Sequence, residues 1–297
     1  MALHQQGHAP FSTKQRHVIS FILMPPASYF SCGKADDLNA FLFASNVFPP
    51  IFVRANISRD GGDADVGKTV SPFWWGCDVT SLLDDICAAG YNVVNADYGL
   101  VPDCRFPVPV IQANQALAWC EAHAGEYGLD MDDAVIMGSS AGAIIASQMG
   151  AVISNPEYAA ELGIEPSLER EQVRAVVIDD APLVYDEFSL GTKILIGNYV
   201  RGTIFLSKEE KHRYDATQWV TSAYPPAVLL GSEYCNDMRA MDAAVSEGGA
   251  AHELIDPLAE RGLKMPHCFV ASERSDEVAR DALERMLAFL ADRTDVG

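Results

Sequence analysis

Residues Ala134-Val135-Ile136-Met137-Gly138-Ser139-Ser140-Ala141-Gly142-Ala143-Ile144-Ile145-Ala146-Ser147-Gln148-Met149 decide how this chain is read. Four apolar residues, AVIM, have the length and branching of a buried strand. A turn of small residues follows, and AIIASQM continues at helical spacing. Gly138 to Gly142 fit the pattern G-x-S-x-G. Composition alone yields such a match in about one chain in ten of this length, so the weight lies in the strand–turn–helix setting. A tight turn there leaves Ser140 exposed at a helix start. Glycines at 138 and 142 let the two backbones pass closely. The amide of Ala141 then points where negative charge would develop on a bound group. A glycine-rich turn without chemistry fits the same letters, and no Walker lysine follows to favour a phosphate loop.

Outward from this turn the chain alternates strands and helices. Asp78–Ala89 has apolar residues at helical spacing, and Gly90 ends it. Tyr91–Ala96 reads as a buried strand, and Val108–Ala124 as a helix entered through Pro107 and Pro109. Val173–Ile178 and Ala227–Leu230 are further strands, Met238–Ser246 a helix, and Ala279–Ala291 an amphipathic helix. Upstream, Val18–Met24, Ala40–Phe43 and Ile51–Ile57 are short apolar runs separated by Pro and Gly. The alternation predicts a mainly parallel sheet covered on both faces. Residues 182–224 break the rhythm, as an inserted cap or a long connection would.

Composition narrows the function classes. The 297 residues are 49% hydrophobic and 21% charged, enough for one large α/β domain. The net charge of −20 argues against nucleic acid or an anionic membrane as partner, since phosphates need clustered Lys and Arg. No apolar run approaches the roughly 18 residues of a membrane span. Val18–Met24 after Lys14 and Arg16 is only seven residues long, ends in Pro25-Pro26 and lacks a convincing cleavage site, so it reads as a strand rather than a signal peptide. Seven scattered cysteines without a CxxC pair signal neither zinc nor a disulfide framework, and suit reduced thiols in a cytoplasm.

Several ordered segments resemble the hormone-sensitive-lipase-like esterase branch of the α/β-hydrolase fold. Val93–Asp103 with Arg105-Phe106-Pro107 is similar to that branch's VDYRLAPE…FP segment. Ala113–Trp119 resembles its AxxALxW helix, and Tyr127-Gly128-Leu129-Asp130…Asp133 leads into the serine turn. Pro225–Tyr234 resembles the strand before the family's acid, and His267-Cys268-Phe269 its HGF histidine motif. The matches cover about residues 90 to 290. The resemblance implies a single α/β-hydrolase domain over 1–297; within it, 1–16 reads as frayed and 182–224 as a cap insertion or a long connection. It implies a Ser–acid–His hydrolase of small or medium acyl esters, acting on a small-molecule substrate without metal or organic cofactor. Oligomeric state is left open, a homodimer included.

Two departures stand out. Where the family has a His-Gly-Gly-Gly oxyanion loop, this chain has Ser58-Arg59-Asp60-Gly61-Gly62. Gly61 and Gly62 fit either an oxyanion amide donor or an ordinary turn. At the family's acid position the ungapped alignment gives Tyr234 or Cys235, with carboxylates on either side at Glu233 and Asp237. Glu233 lies nearest both alignments and is the expected acid, with Asp237 as the other candidate. Asp179-Asp180, after a strand, read as salt-bridged loop residues, with a place facing the site as the alternative. His267 is the expected base, completing the chain order nucleophile, acid, base. Phe73-Trp74-Trp75 fits a pocket lining or the core. An amidase, a peptidase or a carbohydrate deacetylase would carry the same residues. A non-catalytic binding protein of this fold accommodates the two departures.

Overall fold

The computed structural model describes residues 80–96 and 98–294, together with the backbones of strands 16–21 and 53–56. The run Ala40–Phe43, the Gly61–Gly62 turn, the Phe73–Trp75 aromatics and residues 1–15 lie outside them.

Among the described residues seven strands form one sheet: β1 (Arg16–Phe21), β2 (Val53–Asn56), β3 (Tyr91–Ala96), β4 (Ala134–Ser139), β5 (Val173–Asp179), β6 (Ala227–Leu230) and β7 (His252–Ile255). Their order is β2-β3-β1-β4-β5-β6-β7. Among these described strands only the β2–β3 pair is antiparallel. Parallel pairing needs crossovers, and helices supply them. They are α1 (Thr80–Ala88), α2 (Val108–Tyr127), α3 (Ala141–Ser154), α4 (Pro156–Leu162), α5 (Leu190–Val200), α6 (Lys208–Tyr214), α7 (Cys235–Gly248), α8 (Pro257–Arg261), α9 (Phe269–Ser272) and α10 (Glu277–Ala291).

Apolar residues on both faces of the central strands build two cores. Ile136, Val176, Ile178 and Leu229 pack with α2 and α3 on one face. Val135, Met137, Val177 and Leu230 pack with α1 and α10 on the other. The alternation follows from the two-residue period of a strand. It explains why these strands read as unbroken apolar runs.

Register sets the site. Ser139 pairs with Asp179, and Asp179 with Leu230. The residues that follow these three strands therefore leave the sheet at one edge. The backbone ladder continues past it, with Ser140 N–H donating to Asp179 C=O at 2.8 Å and Asp180 N–H to Leu230 C=O at 2.9 Å.

The segment after β5 holds α5 and α6. Ser189 caps the first through the Thr192 amide. Ser207 and Glu210 form a reciprocal capping box at the second. Phe106 N–H donates to Tyr199 C=O at 3.0 Å, tying α5 to the segment before α2. No helix among the described residues is long and apolar enough to cross a membrane.

Candidate active site

The turn from β4 to α3 is built for close passage. A Cβ on Gly138 would lie 2.1 Å from the carbonyl oxygen of Gly142, so only glycine fits there. Ser140 follows with φ 54° and ψ −117°, a conformation that disfavours L side chains. Among the described residues the non-glycine positions with positive φ are Ser140, Asp180 and Cys268. Two of these belong to the cluster below and the third adjoins His267. Backbone strain so concentrated is held only where surroundings fix it.

His267 lies in the loop between α8 and α9. Its Nε2 is 2.7 Å from Ser140 Oγ, and its Nδ1 is 2.6 Å from Asp180 Oδ2. A carboxylate only accepts, so Nδ1 carries the proton. Nε2 is then left to accept from the serine hydroxyl. The imidazole is 30% exposed, whereas the Asp180 carboxylate is fully buried.

Burial alone would raise the Asp180 pKa. The His267 and Ser232 hydrogen bonds, the His267 charge and the Tyr234 amide outweigh it and hold the carboxyl below its ordinary value. Oδ1 accepts from the amides of Ser232 at 2.9 Å and Tyr234 at 2.8 Å. Oδ2 accepts from the Ser232 hydroxyl, from the Glu233 amide at 3.1 Å and from the Cys268 amide at 3.4 Å. The loop after β6, where sequence spacing points to an acid, thus cradles an acid from the neighbouring strand.

The structure parts the two expected acids. Glu233 Oε2 stands 3.5 Å from His267 Nδ1 with its side chain 59% exposed. Asp237 Oδ1 accepts from the amides of Leu183 and Val184, each at 2.8 Å. Asp237 therefore braces the loop that follows Asp180. Burial raises its pKa, against the two amides that lower it. Asp180 takes the position on His267 because parallel neighbours β5 and β6 end side by side. A residue just past either strand reaches the same point. Asp179, its sequence neighbour, instead accepts from the Ser139 hydroxyl at 2.7 Å. Two successive acids at the end of an apolar strand, the second just past it at the carboxyl edge of a parallel sheet, are the signal that marks Asp180.

Ala141 opens α3 beside Ser140, as the turn requires. The ring of Tyr234 meets the His267 imidazole edge-on, centroids 5.6 Å apart. Its hydroxyl is 3.4 Å from Thr192 Oγ1 of α5. Asp180, His267 and Cys268 present metal-ligand atoms within 4.8 Å of one another. However, N–H and O–H donors already surround the Asp180 oxygens, which turns the cluster toward holding an imidazole rather than a cation.

A strained serine at a helix start, hydrogen-bonded to an imidazole whose other nitrogen meets a buried carboxylate, is suited to acyl transfer. Comparison with known proteins identifies the family. The family model described as BD-FAE matches residues 77–233. Esterase LipC of Mycobacterium tuberculosis is 29% identical over 161 residues, which are 52% of this chain and 39% of that protein. An arylesterase of Saccharolobus solfataricus is 34% identical over 64 residues, 22% of this chain and 20% of that one. This chain thus spans about two fifths or less of the length of these curated relatives. The crystal structure of Esterase B from Lactobacillus rhamnosis superposes with a TM-score of 0.64 at 14% identity, covering 95% of this chain and 76% of that one. At that identity the likeness speaks for the fold. With more than half of its residues matched, the chain belongs to the BD-FAE family of α/β-hydrolases.

Proposed function

We propose that this protein hydrolyses carboxylic esters of small or medium acyl groups, with Ser140 as nucleophile, His267 as base and Asp180 as the carboxylate behind it. The observation that carries the reading is the 2.7 Å approach of Ser140 Oγ to His267 Nε2, with Nδ1 held by Asp180. Esterase names among the relatives support the reaction class.

The chemistry follows from the protonation pattern. Nε2 takes the serine proton as Oγ bonds to the ester carbonyl carbon. The carbonyl electron pair moves onto oxygen, which the Ala141 amide at the head of α3 stabilises. A donor of this kind contributes about 3–4 kcal/mol. The sequence expectation of a second donor at Gly61 or Gly62 stands alongside it. Collapse breaks the bond to the leaving alkoxide, which takes the proton from Nε2 and departs as alcohol. Water activated by the same nitrogen then releases the acid and restores Ser140. Asp180 fixes the tautomer and balances the imidazolium throughout.

Residues 182–224 form the cover on the substrate side in this reading. Phe188 meets Tyr234 edge-on at 6.5 Å, and Thr192 meets its hydroxyl. We place the protein in a reducing, cytoplasmic setting from its scattered thiols.

Fluorophosphonate labelling with site mapping, paired with p-nitrophenyl ester hydrolysis, tests the assignment. Wild type should be labelled at Ser140, and Ser140→Ala should lose both label and turnover. A folded wild type that takes no label would refute it. A parallel panel of amides and acetylated sugars separates an esterase from an amidase or a deacetylase.

A further inference from the structure

We propose that Glu233 is a second carboxylate for His267, a positioning residue that shares the imidazolium with Asp180 and steadies the base when Asp180 is lost. This rests on the base role of His267 given above.

Two carboxylates reach one nitrogen. Asp180 Oδ2 stands 2.6 Å from Nδ1, and Glu233 Oε2 stands 3.5 Å from it. They arrive from the ends of different strands, Asp180 after β5 and Glu233 after β6. The Glu233 amide donates to Asp180 Oδ2 at 3.1 Å, which ties the backbone bearing the second carboxylate to the first. The loop that cradles the buried acid thus also carries the exposed one.

Like charges this close repel unless each is compensated. The Asp180 charge is met by amides and a hydroxyl as well as by the imidazole. The Glu233 charge faces water and, among the described residues, His267 is its ion-pair partner. No lysine or arginine among the described residues pairs with it, so its field falls on the imidazole. The other titratable groups at His267 among the described residues are Tyr234, from the loop after β6, and Cys268, its chain neighbour. Neither is a cation. A glutamate needs a movement of less than about 1 Å to reach normal hydrogen-bond range from 3.5 Å.

Activity against pH reads this directly. A negative charge near Nδ1 favours the protonated base. Removing it should move the acidic limb of kcat/KM to lower pH. For an ion pair this exposed the movement should be about half a pH unit. The series is wild type, Glu233→Gln, Asp180→Asn, the double variant and His267→Ala, each assayed on p-nitrophenyl acetate with a thermal melt. Glu233→Gln should shift the limb and lower the plateau only a few-fold. On the Asp180→Asn background the same change should cost at least about tenfold more than on wild type, since the imidazole then loses both of the carboxylates that meet Nδ1 among the described residues. An unmoved limb, with the two substitutions simply multiplying, would overturn the proposal while an inactive His267→Ala leaves the base reading standing. An active His267→Ala would overturn both. If Asp180→Asn does not fold, the limb of Glu233→Gln decides alone.

Discussion

Ser232 donates to Asp180 twice, its amide to Oδ1 at 2.9 Å and its hydroxyl to Oδ2, across the ends of β6 and β5. A hydrogen bond to a charged, buried acceptor contributes about 1.5–3 kcal/mol. Ser232→Ala should therefore lower stability by roughly that amount in a denaturant titration. It should also reduce kcat by about tenfold with KM little changed, since part of the support for the imidazolium goes.

The same cradle makes stability depend on pH with a definite sign. Asp180 folds with its pKa below the ordinary 3.8. Its contribution is therefore fully present above that value and is lost as pH falls through the folded one. Asp180→Asn should be less stable than wild type at neutral pH by about 1–3 kcal/mol, because an amide donor would face donors. The gap should narrow below about pH 4. Thermal melts of both proteins from pH 3 to 8 check this.

Asp237 carries the opposite sign. Burial raises its pKa, so the folded state takes up the proton more readily than the unfolded chain. Its ionised form lowers stability as pH rises through the folded value. Asp237→Asn keeps an oxygen for the Leu183 and Val184 amides and removes the charge. It should melt at or above the wild-type temperature at pH 7, and the gain should vanish toward pH 3. Asp237→Ala strands two amides and should cost about 2–5 kcal/mol. A neutral alanine variant would show that the brace does not hold the loop.

Gly138→Ala places a Cβ 2.1 Å from a backbone oxygen that cannot rotate away. The elbow must open or the helix must shift, at a cost of about 3 kcal/mol or more. Loss of soluble protein, or a melt lowered by many degrees with no labelling at Ser140, is the expected outcome.

These residues differ in how plainly the sequence shows them. Strands 91–96 and 227–230 have the bounds read from the sequence: Ala227–Leu230 is apolar throughout, and Val93-Val94 centre a run whose two asparagines are themselves buried. Helix α2 runs past Ala124 to Tyr127, and α7 starts at Cys235 rather than Met238. Both added turns are mostly polar and have no apolar period to announce them. The helices within 182–224 lack a clean apolar stripe, although Ser207-x-x-Glu210 is a legible capping box. The structure brings Ser140 and His267, each singled out by its motif, to 2.7 Å of one another. The carboxylate does not follow the motif, because spacing along one strand carries no record of which neighbour ends beside it.

The passage of the carboxylate from one strand end to the next matters for how such chains are sorted. A filter that demands Asp or Glu at the position of Tyr234 or Cys235 would set this chain aside as a degenerate hydrolase. A search in space around the Nδ1 atom recovers a fully buried carboxylate with five further donors from Ser232, Glu233, Tyr234 and Cys268. Sequences that pair a serine elbow with two acids at the end of the following strand, and a non-acidic residue at the family's acid position one strand later, form a recognisable subgroup whose members should be assayed before being counted as inactive.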